Sequence, residues 1–171
     1  MDWKDSKTYK ERLKIARKNH CINILNPAPF ILPKREIWSL VDYLTPNEHE
    51  ASEITGLKID GPQAAFEAGK LLCDMGVKNA VITLGELGVV TVIEGKKGEH
   101  YYPPNISERV VDTVGAGDAL LAGATLAYIK SKNILASAII GNVSAALACE
   151  RKGNIPITTK QILAKIEKIK K

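Results

Sequence analysis

A chain of 171 residues, 45% hydrophobic and 25% charged, suits one soluble globular domain with a core of its own. Its net charge of +5 is modest and its few aromatic residues do not alternate with basic ones, which argues against binding to nucleic acid. Cys21, Cys73 and Cys149 lie far apart without metal or disulfide spacing, so buried, reduced thiols in a cytoplasmic protein are expected; no apolar run approaches a membrane span, and the charged start is no signal peptide.

Tyr9, Leu13 and Ala16 recur at helical spacing among lysines and arginines, predicting a helix over 6–18 with a solvated basic face. Cys21–Leu25 reads as a short apolar strand stopped by Asn26-Pro27-Ala28-Pro29, and Val41–Leu44 as a second, stopped by Thr45-Pro46. Asn47–Thr55 predicts a short helix ending at Gly56. Pro62 opens a longer one to about Met75, with Ala65, Phe66, Gly69 and Leu72 on one face and Gly76 as its stop.

Ala80-Val81-Ile82-Thr83-Leu84 is a buried strand, followed by a turn from Gly85 to Gly88. Val89–Ile93 and Glu99–Tyr102 flank Gly95-Lys96-Lys97-Gly98, which is hairpin chemistry. A helix is predicted from about Gly115 to Lys130, and a second, rich in small residues, over Ile134–Cys149. Thr158-Thr159-Lys160-Gln161 forms a capping box that opens a last helix, with Ile162, Ile166 and Ile169 inward and its lysines in solvent.

These apolar strands alternating with helices, then a β-meander and three helices, predict an α/β fold: a doubly wound, mostly parallel sheet with helices on both faces. Ligands of such sheets bind at the carboxyl ends of the strands, where the polar and glycine-rich loops of this chain fall.

One segment carries more chemistry than the rest. Asp112-Thr113-Val114-Gly115-Ala116-Gly117-Asp118 runs directly into the apolar stretch Ala119-Leu120-Leu121-Ala122. It reads as a tight glycine turn at a helix start, where unpaired N–H groups and the positive end of the helix dipole suit an anion such as phosphate. Asp118 either caps that helix or stands ready to take a proton from an incoming hydroxyl. An anion hole beside a base is the apparatus of phosphoryl transfer to an alcohol.

The heptapeptide resembles the Asp-Thr-x-Gly/Ala-Ala-Gly-Asp signature of the ribokinase-like (PfkB-type) carbohydrate kinases. Four further segments are similar to that family's carboxyl-terminal half, in its order: Asn26-Pro27-Ala28-Pro29, Asn47-Glu48-x-Glu50, Ile82-Thr83-Leu84-Gly85-x-x-Gly88 and Arg151-Lys152-Gly153-x-x-Pro156. The resemblance spans nearly the whole chain. It implies that residues 1–171 form the ATP-binding and catalytic portion of such a kinase, an incomplete domain lacking the family's amino-terminal strands and lid.

By the same resemblance Asp118 is the catalytic base at the sugar hydroxyl, and Gly115, Ala116 and Gly117 supply N–H donors to the transferring phosphoryl group. ATP is implied at Asn47, Thr83, Leu84, Gly85, Glu86, Leu87, Gly88, Gly117 and Asn142. Glu50 is implied to hold Mg2+, through water. A monovalent cation, K+, is implied at Asp112, Val114, Ala148, Arg151 and Gly153, although Ile157 stands where the family often has a hydroxyl. Asn26-Pro27-Ala28-Pro29 leans towards D-ribose as acceptor, giving ribose 5-phosphate.

The implied partners are ATP, a small sugar and the missing half as a separate chain; the family's homodimer uses a lid that is absent here, and neither nucleic acid nor membrane is expected. Two alternatives stay open at this stage. One is a non-catalytic nucleotide-binding fragment or split-enzyme subunit, and the other is a kinase for a nucleoside, fructose or another small alcohol.

Overall fold

The structure, a computed structural model, describes residues 6–28, 35–95 and 106–169. The chain forms two compact units, Met1–Leu84 with Val90–Tyr102, and Gly85–Val89 with Pro103–Lys171.

The first unit is built on the sheet. Its elements run α1 (Ser6–Lys18), β1 (Ile24–Leu25), a 3₁₀ turn (Arg35–Leu40), β2 (Tyr43–Leu44), α2 (Glu48–Thr55), α3 (Pro62–Asp74), β3 (Asn79–Thr83) and β4 (Val89–Ile93), the last of which begins in the other unit. The strands lie in the order β1-β2-β3-β4. β1 pairs parallel with β2, and β2 with β3 through Leu44 opposite Ala80. β4 turns back beside β3: Glu94, just past its end, donates its N–H to the carbonyl of Lys78, just before β3 (2.8 Å).

β3 reads Asn-Ala-Val-Ile-Thr and is buried on both faces, as an apolar run in a covered parallel sheet should be. Ile82, Leu44 and Val92 share one core with Ala65, Ala68 and Leu72 of α3 and Ala51 and Ile54 of α2. Ile37 and Trp38, from the 3₁₀ turn, complete it. Pro62 at the first position and no polar side chain at the Gly61 cap give α3 its start.

Both early strands are shorter than the sequence suggests, two residues each instead of Cys21–Leu25 and Val41–Leu44. The residues just before them serve a polar network instead. Asn23 donates its side-chain N–H groups to the carbonyls of Leu13 and Leu40 (3.0 and 2.9 Å), and its backbone N–H to Asp42 (2.9 Å). Asp42 is also paired with Lys78 (2.7 Å) and Arg17 (3.4 Å). Burial alone would raise the Asp42 carboxyl, but the Lys78 ammonium, the Asn23 N–H and Arg17 outweigh it and hold the group low. This network fastens the amino ends of three strands and leaves their carboxyl ends clear of it.

The second unit is helical: α4 (Ala116–Ser131), α5 (Ile134–Cys149) and α6 (Thr159–Ile169). α4 and α5 pack with almost no space between backbones. A methyl group at Gly123 would stand 2.3 Å from the Ser144 hydroxyl, and one at Gly141 3.0 Å from both the Leu120 carbonyl oxygen and the Ala124 methyl carbon. Small polar side chains in this seam are satisfied locally: Ser137 donates to the Ala124 carbonyl (2.7 Å) and Ser144 to that of Ile140 (2.8 Å).

Two expectations change, and a third falls outside the described residues. Cys21 is exposed and Cys73 and Cys149 are half-buried, all as free thiols, because Cys21 falls in the turn after α1 and the other two at the ends of helices. Burial, with Glu94 and Asp74 adding, pushes the Cys73 thiol up to about 11, which keeps it protonated. Ile169, expected inward, is exposed, and the buried side chain of α6 is Lys165. The proposed second strand of the hairpin, Glu99–Tyr102, lies outside the described residues.

Candidate active site

Gly115 is the N-cap of α4 and sits at φ +81°, a left-handed conformation that glycine adopts without strain. Space matters there too, since a Cβ would meet the Asn154 side-chain oxygen at 2.9 Å. The turn is held from below by Asp112, whose Oδ1 accepts the Val114 N–H at 3.0 Å.

Of the three amides expected to form the anion hole, one is already used: the Ala116 N–H donates to the Thr113 carbonyl at 3.2 Å. The N–H groups of Gly115, Gly117 and Asp118 find no acceptor among the described residues. No side chain caps this helix start, so its orphan donors, which make up the positive end of the helix dipole, are left unblocked by a cap. The corner therefore offers an anion the amides of 115, 117 and 118, one of them not foreseen from the sequence.

Asp118 lies in the first turn of α4 and is exposed. Its carboxylate makes no capping bond, hydrogen bond or ion pair with any described residue. Simple helix capping, the competing use of an aspartate at such a place, is thus not what it does.

The loop after α5 closes on the same corner. The N–H groups of Val111 and Asp112 both donate to the Cys149 carbonyl (2.7 and 3.2 Å). The Gly153 N–H donates to Asp112 Oδ2 at 3.1 Å. These bonds from Val114 and Gly153, with Thr113 adding, hold the Asp112 carboxyl below its ordinary range.

All five implied cation ligands, Asp112, Val114, Ala148, Arg151 and Gly153, are on these two segments and offer only oxygen. The Ala148 carbonyl accepts the N–H groups of both Glu150 and Arg151 (3.2 Å from Arg151), whereas the Gly153 carbonyl accepts only that of Ile155 (3.0 Å) among the described residues and retains a second lone pair. Carbonyls and one carboxylate are donors that suit a large, weakly hydrated cation better than a transition metal. Ile157 contributes no side-chain oxygen to this set.

In the first unit, the carboxyl ends of the strands meet in register. The Thr45 N–H donates to the Leu25 carbonyl (3.0 Å) and the Thr83 N–H to that of Pro46 (2.9 Å), setting Asn47 beside Thr83. Asn26 accepts the Ala28 N–H (3.4 Å) at the end of β1, while Pro29 lies outside the described residues.

Asn47 and Glu50 form a reciprocal capping box on α2: Asn47 Oδ1 accepts the Glu50 N–H (2.8 Å) and Glu50 Oε2 accepts the Asn47 N–H (2.9 Å). Glu50 is only 7% exposed, and its Oε1 has no partner among the described residues. No cluster of three or more His, Cys, Asp or Glu exists among the described residues. Glu50 Oε1 is a carboxylate oxygen that could accept from the water of a hydrated divalent ion.

The loop after β3 is a 3₁₀ turn, Gly85–Leu87, closed by the Gly88 N–H on the Gly85 carbonyl (3.2 Å). Gly85, Glu86 and Leu87 are exposed, whereas Leu84 is part of the core and can offer a ligand only its backbone. Asn142 is 6% exposed, in the small-residue seam of α5. Two features escape the sequence reading: Asn154 packed behind the glycine corner, and the buried Lys165 bridging Glu108 and Glu150.

Comparison with known proteins converges on one family. The model of the pfkB family of carbohydrate kinases matches residues 4–161. The ribokinase of Haemophilus influenzae is 34% identical over 139 residues, which are 81% of this chain and 44% of that protein. Among solved structures, ribokinase from Thermotoga maritima superposes with a TM-score of 0.77 at 30% identity, covering 91% of this chain and 52% of its own. Arabidopsis thaliana ribokinase, complexed with ribose and ATP, gives 0.85 at 26% identity, over 95% of this chain and 53% of its own. The chain thus spans about half the length of the relatives it matches.

Proposed function

Because the chain belongs to the pfkB family of carbohydrate kinases, we propose that it carries the nucleotide-binding and catalytic-base portion of an ATP-dependent sugar kinase. The acceptor in this reading is D-ribose and the product ribose 5-phosphate. The observation that carries it is the glycine corner, where three N–H groups and the Asp118 carboxylate have no partner among the described residues. The ribokinase complexed with ribose and ATP, at 26% identity, supports the choice of both ligands.

In this mechanism Asp118 takes the proton of the sugar's primary hydroxyl. The hydroxyl oxygen forms a bond to the γ-phosphorus of ATP while the bond to the β–γ bridging oxygen breaks, and ADP leaves with that electron pair. The N–H groups of Gly115, Gly117 and Asp118 hold the negative charge where it gathers on the phosphoryl oxygens. Thr83 and the exposed turn Gly85–Leu87 hold the nucleotide, with Asn47 and Asn142.

A magnesium ion bound with ATP would supply positive charge to its phosphates, and Glu50 is the residue that would hold it, through water. Asp112 and the carbonyls of Val114, Ala148, Arg151 and Gly153 would hold K+, which would add positive potential to the corner.

A second reading rests on coverage: with 44% of the matched ribokinase's length represented, the sugar-binding half can come from a separate chain. Ribose phosphorylation is measured with the purified chain alone and after adding an amino-terminal pfkB half as a second polypeptide. Turnover in either assay supports the kinase reading, and turnover only on mixing identifies a split enzyme. Saturable ATP binding without turnover in both would reduce the chain to a nucleotide-binding module. Absence of ATP binding would overturn the proposal.

A further inference from the structure

Lys165 is the one lysine of α6 that the fold buries: its side chain is 5% exposed. Its Nζ donates to Glu150 Oε1 at 2.7 Å and to Glu108 Oε1 at 3.1 Å. Glu150 Oε1 also accepts the backbone N–H of Glu108 at 2.9 Å. Burial would lower the ammonium's pKa, but the two carboxylates outweigh it and keep Lys165 charged.

The two glutamates belong to the two segments that make the proposed cation site. Glu108 opens the stretch that leads, four residues on, to Asp112. Glu150 caps α5 and stands between Ala148 and Arg151, two of the implied carbonyl ligands. Between the lysine and the site the segments are joined by Val111 and Asp112 on Cys149, and at the far end by Gly153 on Asp112. Lys165 thus fastens the near end of a two-segment clamp, and Asp112 closes its far end.

A surface ion pair would contribute little to such an arrangement, but a nearly buried ammonium cannot relax into water when its partners shift. We infer that Lys165 is a positioning residue for the monovalent-cation site: it sets the spacing between residues 111–114 and 148–153 from which the ion's oxygen ligands are drawn. The inference rests on the cation reading given above. No contact of Lys165 with substrate is involved.

The test follows thermal unfolding while K+ replaces tetramethylammonium at constant ionic strength, a readout independent of turnover. Wild type is expected to gain stability with K+, defining a half-saturating concentration. Lys165→Met is expected to raise that concentration by about 10-fold, the lower end of the range for outer-shell partners of a metal site. Lys165→Arg is expected to restore most of it.

A merely structural lysine would lower the unfolding temperature equally at every K+ concentration and leave the half-saturating value in place; that result overturns the inference. If wild type itself shows no K+-specific gain, the cation reading falls and takes the positioning role with it. Should Lys165→Met lose its helical circular dichroism, Glu108→Gln decides instead, since Glu108 is largely exposed. A smaller shift in the same direction supports the clamp, and an unchanged value overturns it.

Discussion

The carboxyl end of β2 and the start of α4 both carry residues expected to serve ATP, yet the fold treats them in opposite ways. At α2 the Asn47 side chain and one Glu50 oxygen are consumed in a capping box, and every donor of that helix start that they reach is satisfied. At α4 no side chain caps the start, and among the described residues the N–H groups of Gly115, Gly117 and Asp118 are unspent and the exposed Asp118 carboxylate is unpartnered. Folding alone favours the first arrangement slightly over the second, because a glycine N-cap such as Gly115 gives up about a few tenths of a kcal/mol relative to a capping side chain. α3 also starts without a side-chain cap, at Gly61, so what sets α4 apart from α2 and α5 is its open start together with the adjacent Asp118 carboxylate.

The sharpest way to break this contrast is Asp118→Asn. The substitution keeps size and leaves the corner's amides in place while removing the proton acceptor. Phosphoryl transfer is expected to fall by about 10²–10⁴-fold, the usual weight of general-base catalysis, with ATP affinity held within a few-fold. Steady-state turnover and equilibrium ATP titration on the same preparation separate the two effects. Retained turnover would remove Asp118 from the mechanism; a parallel loss of ATP affinity would make it a binding residue.

Gly115→Ala probes the backbone that makes the corner. The new methyl group must accept φ +81° and a contact of 2.9 Å with Asn154. A left-handed non-glycine residue costs about 1–3 kcal/mol, to be read from denaturant unfolding. Adding Asn154→Ala relieves the contact and leaves the dihedral strain, so the double variant should recover only part of the loss. Full recovery would mean that crowding, and not backbone conformation, makes glycine necessary there.

Much of this architecture is legible in the residues. The heptapeptide, the apolar run of β3, Pro62 and the capping box at Thr158–Gln161 each announce themselves by local chemistry, and the structure places the corresponding turn, strand and helix starts there. What escapes is non-local. The shortening of β1 follows from Asn23 reaching Leu13 and Leu40, contacts that no window of sequence contains. Ile37 and Trp38 enter the core from a 3₁₀ turn too short to show a period.

Lys165 reads as solvent-facing because its partners stand 57 and 15 residues away. At the candidate site the motif marks the corner, but it does not reveal that the Ala116 amide is spent on Thr113 and that the Asp118 amide is open. That division depends on hydrogen-bond geometry within one turn, below the resolution of a motif.

The smallest expected effect bears on whether the contrast between the two helix starts is complete. Glutamine also closes a capping box at the third helical position, so Glu50→Gln should hold stability within a few tenths of a kcal/mol, while Glu50→Ala should lose about 1 kcal/mol with the cap. If Glu50 Oε1 also holds magnesium-bound water, the neutral Glu50→Gln variant should need about 10-fold more Mg2+ for half-maximal turnover despite its intact fold. An unchanged Mg2+ requirement would leave Glu50 a cap and nothing more. The catalytic burden of this chain would then rest on the open helix start, with the closed one serving to align Asn47 beside Thr83 at the sheet's edge.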